Sequence, residues 1–171
     1  MKLMHGNDFN GTDPTGWLMS EKYDGFRAVW DGEFLWSRQG GWFMEPDWFT
    51  AGLPAGVALD CELYIGTNTL TLLNSRTRKR NDDWRGIRLM VFDVITDAPV
   101  EQRIAVLDSL TLPAHCVKVA HTPCTSRNHL REFTAAILAR GGEGAMIRKP
   151  ASPYTNGRTS DLLKVKSIAV V

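Results

Sequence analysis

Apolar and polar residues alternate in short runs along most of this chain, and turn-forming residues bound each run. The alternation predicts strands at 17–20, 27–30, 33–36, 57–64, 87–95, 117–120, 145–148 and 162–165. Two stretches break that rhythm and space their apolar residues by three and four. Over 100–110, Ile104, Leu107 and, less squarely, Leu110 share one face; over 126–140, Leu130, Phe133, Ile137 and Leu138 do. The second predicted helix starts after Thr125-Ser126 and stops at Gly141-Gly142, residue types that cap and end helices. The opening segment 1–16, with Asn7, Asp8, Asn10, Gly11, Asp13 and Pro14, reads as loop. No repeat, low-complexity tract or long linker divides the chain. Many short strands with few helices among them predict an α+β fold with antiparallel sheets.

The chain's 171 residues, 43% of them apolar, suffice for a single domain over 1–171 with a sizeable core. Twenty basic and nineteen acidic residues leave a net charge of +1, which argues against coating nucleic acid by bulk charge. Any such contact needs a local patch. The segment 76–88 is the one strong charge cluster, with Arg76, Arg78, Lys79, Arg80, Arg85 and Arg88 against Asp82 and Asp83. Basic residues around Trp84 suit a phosphate backbone, while a solvated loop is the plainer alternative. Arg38, Arg148, Lys149 and Arg158 extend the track. Cys61, Cys116 and Cys124 form no C-x-x-C pair and read as reduced intracellular thiols. The N-terminus lacks a basic-then-apolar signal and no run is apolar enough to span a membrane, so the cytoplasm is expected. His115, Cys116, His121, Cys124 and His129 match no common zinc spacing. There is no Walker loop, dinucleotide fingerprint or Gly-x-Ser-x-Gly elbow, which excludes P-loop kinases, dehydrogenases and α/β-hydrolases.

The chemistry concentrates in Glu21-Lys22-Tyr23-Asp24-Gly25-Phe26-Arg27, where a lysine ends an apolar strand and an acid, a glycine turn and an arginine follow. A free lysine amine, with a pKa of about 10.4, is almost wholly protonated near neutrality. A second cation or a metal ion beside it makes it a usable nucleophile. Gly25 allows close backbone approach, and Arg27 offers a fork for phosphate or carboxylate. Lys164 and Lys166 lie two apart in a strand-like run, face the same way, and suit a phosphate. The bland readings are a surface strand with a Lys–Asp pair and an exposed strand face. Asp60 and Glu62 likewise share a strand face and offer two acceptors. Gly142-Glu143-Gly144 is either a helix stop with an exposed acid or a carboxylate set in a turn. Phe92 and its neighbours read as a buried strand.

Taken together, these segments resemble the motifs of the covalent nucleotidyltransferases, the group of ATP-dependent DNA ligases, RNA ligases and mRNA capping enzymes. Lys22-x-Asp24-Gly25-x-Arg27 resembles motif I, and Ser37-Arg38-Gln39-Gly40 the block after it. Leu59-Asp60-Cys61-Glu62-Leu63 resembles motif III, and Met90-Val91-Phe92-Asp93-Val94 motif IIIa. Glu143-Gly144-Ala145-Met146-Ile147-Arg148 and Leu163-Lys164-Val165-Lys166 resemble motifs IV and V, all in the family's order. The wording is most similar to the small bacterial ATP-dependent DNA ligases, as in Asp13-Pro14-Thr15-Gly16-Trp17, Trp48-Phe49-Thr50-Ala51-Gly52-Leu53-Pro54, and Ser152-Pro153-Tyr154 with Gly157-Arg158. Many of those carry an export signal.

The resemblance implies an ATP-grasp-like nucleotidyltransferase fold: two twisted antiparallel sheets flanked by helices, with the nucleotide between them. It implies ATP as cofactor, with AMP held covalently on Lys22, and Mg2+ or Mn2+ as the metal. Lys22, Asp24, Arg27, Lys164 and Lys166 would be catalytic. Glu21, Tyr23, Arg38, Glu62, Phe92 and Glu143 would join Lys22, Arg27 and the two motif V lysines around the nucleotide: Glu62 on the ribose, Phe92 and Tyr23 against the adenine, Glu143 with Glu62 toward the metal. Nicked duplex DNA would lie on Arg38, Arg76, Arg78, Lys79, Arg80, Arg148, Lys149 and Arg158. An RNA ligase or other nucleotidyltransferase, and a nick-binding module without turnover, remain alternatives. Cys61 stands where the family has glycine, so its thiol is expected to crowd the site or narrow the substrates. The family continues into an OB-fold domain; here the chain stops five residues after Lys166. Its functions would then come from a longer parent chain or from a partner protein in trans. A monomer without membrane contact is expected.

Overall fold

Two five-stranded sheets build the fold, and the computed structural model describes residues 2–79 and 83–171. In chain order the elements are β1 (Met4–Asp8), β2 (Leu18–Glu21), β3 (Phe26–Trp30), β4 (Leu35–Ser37), α1 (Asp47–Thr50), β5 (Leu59–Tyr64), α2 (Leu70–Thr77), β6 (Arg88–Val94), α3 (Val100–Ser109), β7 (Cys116–Lys118), β8 (Thr122–Pro123), α4 (Arg127–Ala139), β9 (Ala145–Arg148) and β10 (Gly157–Val165), with a short 3-10 turn at Ile168–Val170. Each sheet defines a compact unit. Unit 1 comprises Met1–Tyr23, Asp97–Gln102 and Ala120–Val171; unit 2 comprises Asp24–Thr96 and Arg103–Val119. The motif around Lys22 therefore crosses from one unit to the other between Tyr23 and Asp24.

In unit 1 the strand order is β1-β10-β9-β2-β8, antiparallel except for the parallel pair β1 and β10. Its core joins Phe9, Trp17, Met19, Cys124, Leu130, Ile137, Ala145, Ile147, Leu163 and Val165. Each such side chain, fully buried, stabilises by roughly 1.5–3 kcal/mol if large and apolar. α4 covers this core with Leu130, Thr134 and Ile137, begins at a Ser126 cap that accepts from the His129 N–H, and ends where the sequence places its glycines. Gly141 takes φ +86°. Its N–H donates to the Leu138 carbonyl at 3.0 Å, and the Gly142 N–H to the Ile137 carbonyl at 2.9 Å, closing the helix with paired caps.

Unit 2 runs β4-β3-β5-β6-β7, with β6 and β7 parallel and the other pairs antiparallel. Its core includes Ala28, Trp30, Leu35, Phe49, Leu59, Cys61, Leu63, Trp84, Leu89, Val91 and Leu107. Antiparallel pairing thus dominates both sheets of a mixed α+β fold, as expected.

Beside the short α1 and β8, which the pattern does not predict, three elements differ from the sequence expectation. The 1–16 segment contains β1, which pairs with β10 across a register shift between Gly6 and Asn7. Its polar residues hide a strand because the irregularity breaks the alternation. α2 is a helix in a stretch where the apolar pattern predicts no element; Leu70 and Leu72 stay exposed and only Leu73 and Thr77 are buried. α3 buries Val100, Arg103 and Leu107 rather than the Ile104–Leu107–Leu110 face. The reason is ionic: Arg103 Nε donates to Asp93 Oδ1 at 2.9 Å, and neither side chain is more than 2% exposed. Among the described residues no helix is long and apolar enough to cross a membrane.

Candidate active site

Register brings the motif lysines of unit 1 together. Glu21 of β2 lies beside Ala145 of β9, and Ala145 beside Val165 of β10, so three strands end flush. The next residue after β2 is Lys22, the next after β10 is Lys166, and Glu143 precedes β9 by two. The Lys22 N–H extends the ladder by donating to the Gly144 carbonyl at 2.9 Å. At this rim Lys22 Nζ donates to Glu143 Oε1 at 2.6 Å, and Lys166 Nζ lies 3.6 Å from the same oxygen. Both Lys22 and Glu143 are about a quarter exposed, at 24% and 27%. Gly144 is held at φ +136°, and a Cβ there would run into the Val165 carbonyl oxygen, so the close approach of β9 to β10 requires glycine. Lys164 sits one residue inside β10, its Nζ 3.8 Å from Asp8 Oδ1. Glu21 directs Oε2 to Arg140 Nη2 at 2.5 Å, and Tyr23 is half-buried.

Unit 2 holds a second group. Arg27 Nε and Nη2 donate to the two oxygens of Asp60, each at 2.6 Å, and the guanidinium lies 5.2 Å from the centre of the Phe92 ring. Asp60 is 1% exposed. The acceptor expected beside Glu62 is thus engaged by the arginine, and the fork expected to meet a ligand is filled by a carboxylate. Such a bidentate pair fixes the plane of the arginine and, with it, the stack on Phe92. Glu62, the register partner of Arg27, and Phe92 are both half-buried, as is Asp24. A Cβ on Gly25 would overlap the Leu63 carbonyl oxygen, so the turn into β3 tolerates no side chain. Cys61 does not crowd any site: it is fully buried among Ala28, Leu63 and Val91, on the opposite face of β5 from Glu62. Burial pushes its thiol well above the usual range, and pushes that of Cys116 up to about 12.

The expected nucleic-acid track is only partly a surface. Arg38 is exposed on a tight turn in which the Ser37 N–H donates to the Gly41 carbonyl at 2.8 Å. Arg78 and Lys79 are exposed beyond α2, and Arg76 donates to the Arg85 carbonyl at 3.2 Å. Lys149 and Arg158 are exposed, the latter donating to the Gly6 carbonyl at 3.0 Å. Arg148 departs from the expectation: it is 3% exposed and donates to Ser20 Oγ at 3.0 Å, on the strand face it shares with Met146 and opposite to the core residues Ala145 and Ile147. Arg80 lies outside the described residues. Sequence reasoning missed the Arg140–Glu21, Arg27–Asp60 and Asp93–Arg103 pairs; only the last had a usable signal, a charged residue at the i+3 position between Val100 and Leu107.

These features define a domain that gathers two lysines on one carboxylate at the end of a sheet, and the comparisons give that class its family. A model described as the ATP dependent DNA ligase domain matches residues 6–166, and the chain belongs to that family. A DNA ligase of Haemophilus influenzae is 33% identical over 170 residues, covering 96% of this chain and 63% of its own length. The chain therefore spans less than two thirds of that relative. A probable DNA ligase of Mycolicibacterium paratuberculosis is 33% identical over 90 residues, 48% of this chain and 17% of its own. Among solved structures, a Lig E DNA ligase superimposes with a TM-score of 0.89 at 28% identity, over 98% of this chain and 69% of its own. The Chlorella virus DNA ligase-adenylate shares the fold, with a TM-score of 0.79 at 22% identity over 97% of this chain and 67% of its own.

Proposed function

We propose that this chain is the adenylyltransferase part of an ATP-dependent DNA ligase working on nicked duplex DNA. The observation that carries the reading is the shared carboxylate of Glu143, on which Lys22 Nζ and Lys166 Nζ converge at 2.6 and 3.6 Å. Lys22 Nζ attacks the α-phosphorus of ATP, an N–P bond forms, and pyrophosphate leaves with the electrons of the broken P–O bond. Glu143 Oε1 is the nearest acceptor for the proton that the amine gives up. Lys166 and Lys164 face the α-phosphate, whose oxygens gain charge as the nucleophile adds.

AMP next passes to the 5′-phosphate of a nick, restoring the Lys22 amine, and the 3′-hydroxyl displaces AMP to close the strand. In unit 2, Glu62 is offered to the ribose hydroxyls and Phe92 to the adenine face. Arg27, braced by Asp60, orients that stack. Arg38, Arg76, Arg78, Lys79, Lys149 and Arg158 are the cations we assign to DNA phosphates. Mg2+ or Mn2+ fits Glu143, with Glu62 as a second candidate. Among the described residues no three acidic, histidine or cysteine side chains gather as a cage; the ion implied by the family would be held by one or two carboxylates and the phosphate oxygens. Such an ion supplies charge neutralisation at the phosphates. We place the protein in the cytoplasm, with the remaining ligase functions supplied by further chain or by a partner.

Intact mass after incubation with ATP and Mg2+ or Mn2+ tests the reading. The wild type gains one AMP and Lys22→Ala gains none. A wild type that stays unmodified with both metals, or an adduct that persists in Lys22→Ala, overturns it. Sealing of nicked DNA against nicked RNA by the same preparation separates the DNA ligase from an RNA ligase.

A further inference from the structure

Residues 141–144 link the end of α4 to the start of β9, and the structure holds this link at both ends. At the far end the Gly144 carbonyl accepts from the Lys22 N–H at 2.9 Å. At the near end there is no spare volume: a Cβ on Gly142 would come within 2.5 Å of Ile137 Cγ2 and 3.2 Å of Glu21 Oε1. Glu21 Oε1 thus borders the space beside Gly142 that a side chain would need, and the other oxygen accepts from Arg140 Nη2 at 2.5 Å. Glu21 is 15% exposed and Arg140 56%, so a well-covered carboxylate is gripped from the solvent side. Arg140 lies outside every sequence block that resembles the family. Between the two held ends stands Glu143, the residue that meets Lys22.

We propose that Arg140 is a positioning residue: by fixing the Glu21 carboxylate against Gly142, it keeps Glu143 on Lys22. Glu21 is then a brace, not a contact to the nucleotide. The inference rests on the reading of Lys22 as the nucleophile. Its physical content is a contrast. A half-exposed Arg–Glu pair contributes little to global stability, whereas a small misplacement of a reacting group lowers rate steeply. Removing Arg140 should loosen the link without loosening the domain.

The test follows single-turnover AMP transfer to Lys22 across ATP concentrations for wild type, Arg140→Ala and Arg140→Lys. Hydrogen exchange at the amides of residues 142–144 and the thermal midpoint are measured alongside. We expect Arg140→Ala to react about tenfold more slowly at saturating ATP, with an unchanged half-saturating ATP concentration, faster exchange at those amides and an unchanged midpoint. Arg140→Lys should recover most of the rate. Wild-type rate and exchange in Arg140→Ala overturn the inference. So does a raised half-saturating concentration at full maximal rate, which would place the pair on the nucleotide, or a lowered midpoint, which would make the pair structural. If the wild type forms no adduct, the parent reading fails, and the exchange data alone still decide whether Arg140 holds the link.

Discussion

Glu143 Oε1 serves two cations at once, so its loss would leave Lys22 and Lys166 facing each other without an intervening charge. Glu143→Gln keeps the shape and removes that charge; AMP transfer to Lys22 should fall on the order of a hundredfold, read by the same intact-mass time course. Gly25 makes a steric prediction. Because a Cβ there overlaps the Leu63 carbonyl, Gly25→Ala should cost about 1–3 kcal/mol, visible as a lower urea midpoint. Cys116 makes a pH prediction. Burial raises its thiol from 9.0 to about 12 in the fold. Its contribution to stability is then fully present below pH 9, where neither state is ionised. That contribution is lost as pH climbs towards 12, because the unfolded chain releases the proton first. Between those limits the stability of the wild type should fall more steeply with pH than that of Cys116→Ala. Parallel slopes in urea unfolding would contradict this.

Among the elements, α3 is tied into unit 2 by an ion pair buried on both sides. Arg103→Ala strands Asp93 in the core and should cost about 3–5 kcal/mol, measured by denaturant unfolding, whereas exposed Arg78 is replaceable at little cost. The pair also shows why the sequence was only partly readable. The continuous apolar run Leu89–Met90–Val91–Phe92 revealed β6, since a strand buried over most of its length is apolar at most positions. The Ser126 cap and the Gly141-Gly142 stop revealed α4, because capping is a local matter. α3 misled because a buried arginine looks polar until its partner ten residues back is known. β1 misled because its register breaks at Gly6. The motif blocks located Lys22, Glu143 and Lys166, yet no local pattern says that β2, β9 and β10 end flush. That is a tertiary fact, and it turns three separated residues into a cluster. The same limit hid the burial of Arg148 and the engagement of Arg27 by Asp60.

Across the whole molecule the near balance of charge means that any binding to nucleic acid would come from a few placed cations. If Arg76, Arg78 and Lys79 meet phosphates, replacing all three by Gln should reduce the salt slope of nicked-DNA binding by about 0.9 for each phosphate no longer neutralised. An unchanged slope in a titration from low to moderate salt would move the DNA elsewhere on the surface. The order in which the chain threads its two units has a further consequence, for synthesis. Unit 2 closes once residue 119 has emerged from the ribosome, and its strands pair near neighbours. Unit 1 must wait, because β1 and β2 are made first but find their partners in β10 and β9. Non-local pairings of this kind form late. The carboxylate shared by Lys22 and Lys166 is therefore complete only when Lys166 has been added, and a nascent chain arrested before β10 is expected to hold unit 2 and a Lys22 without its second lysine neighbour.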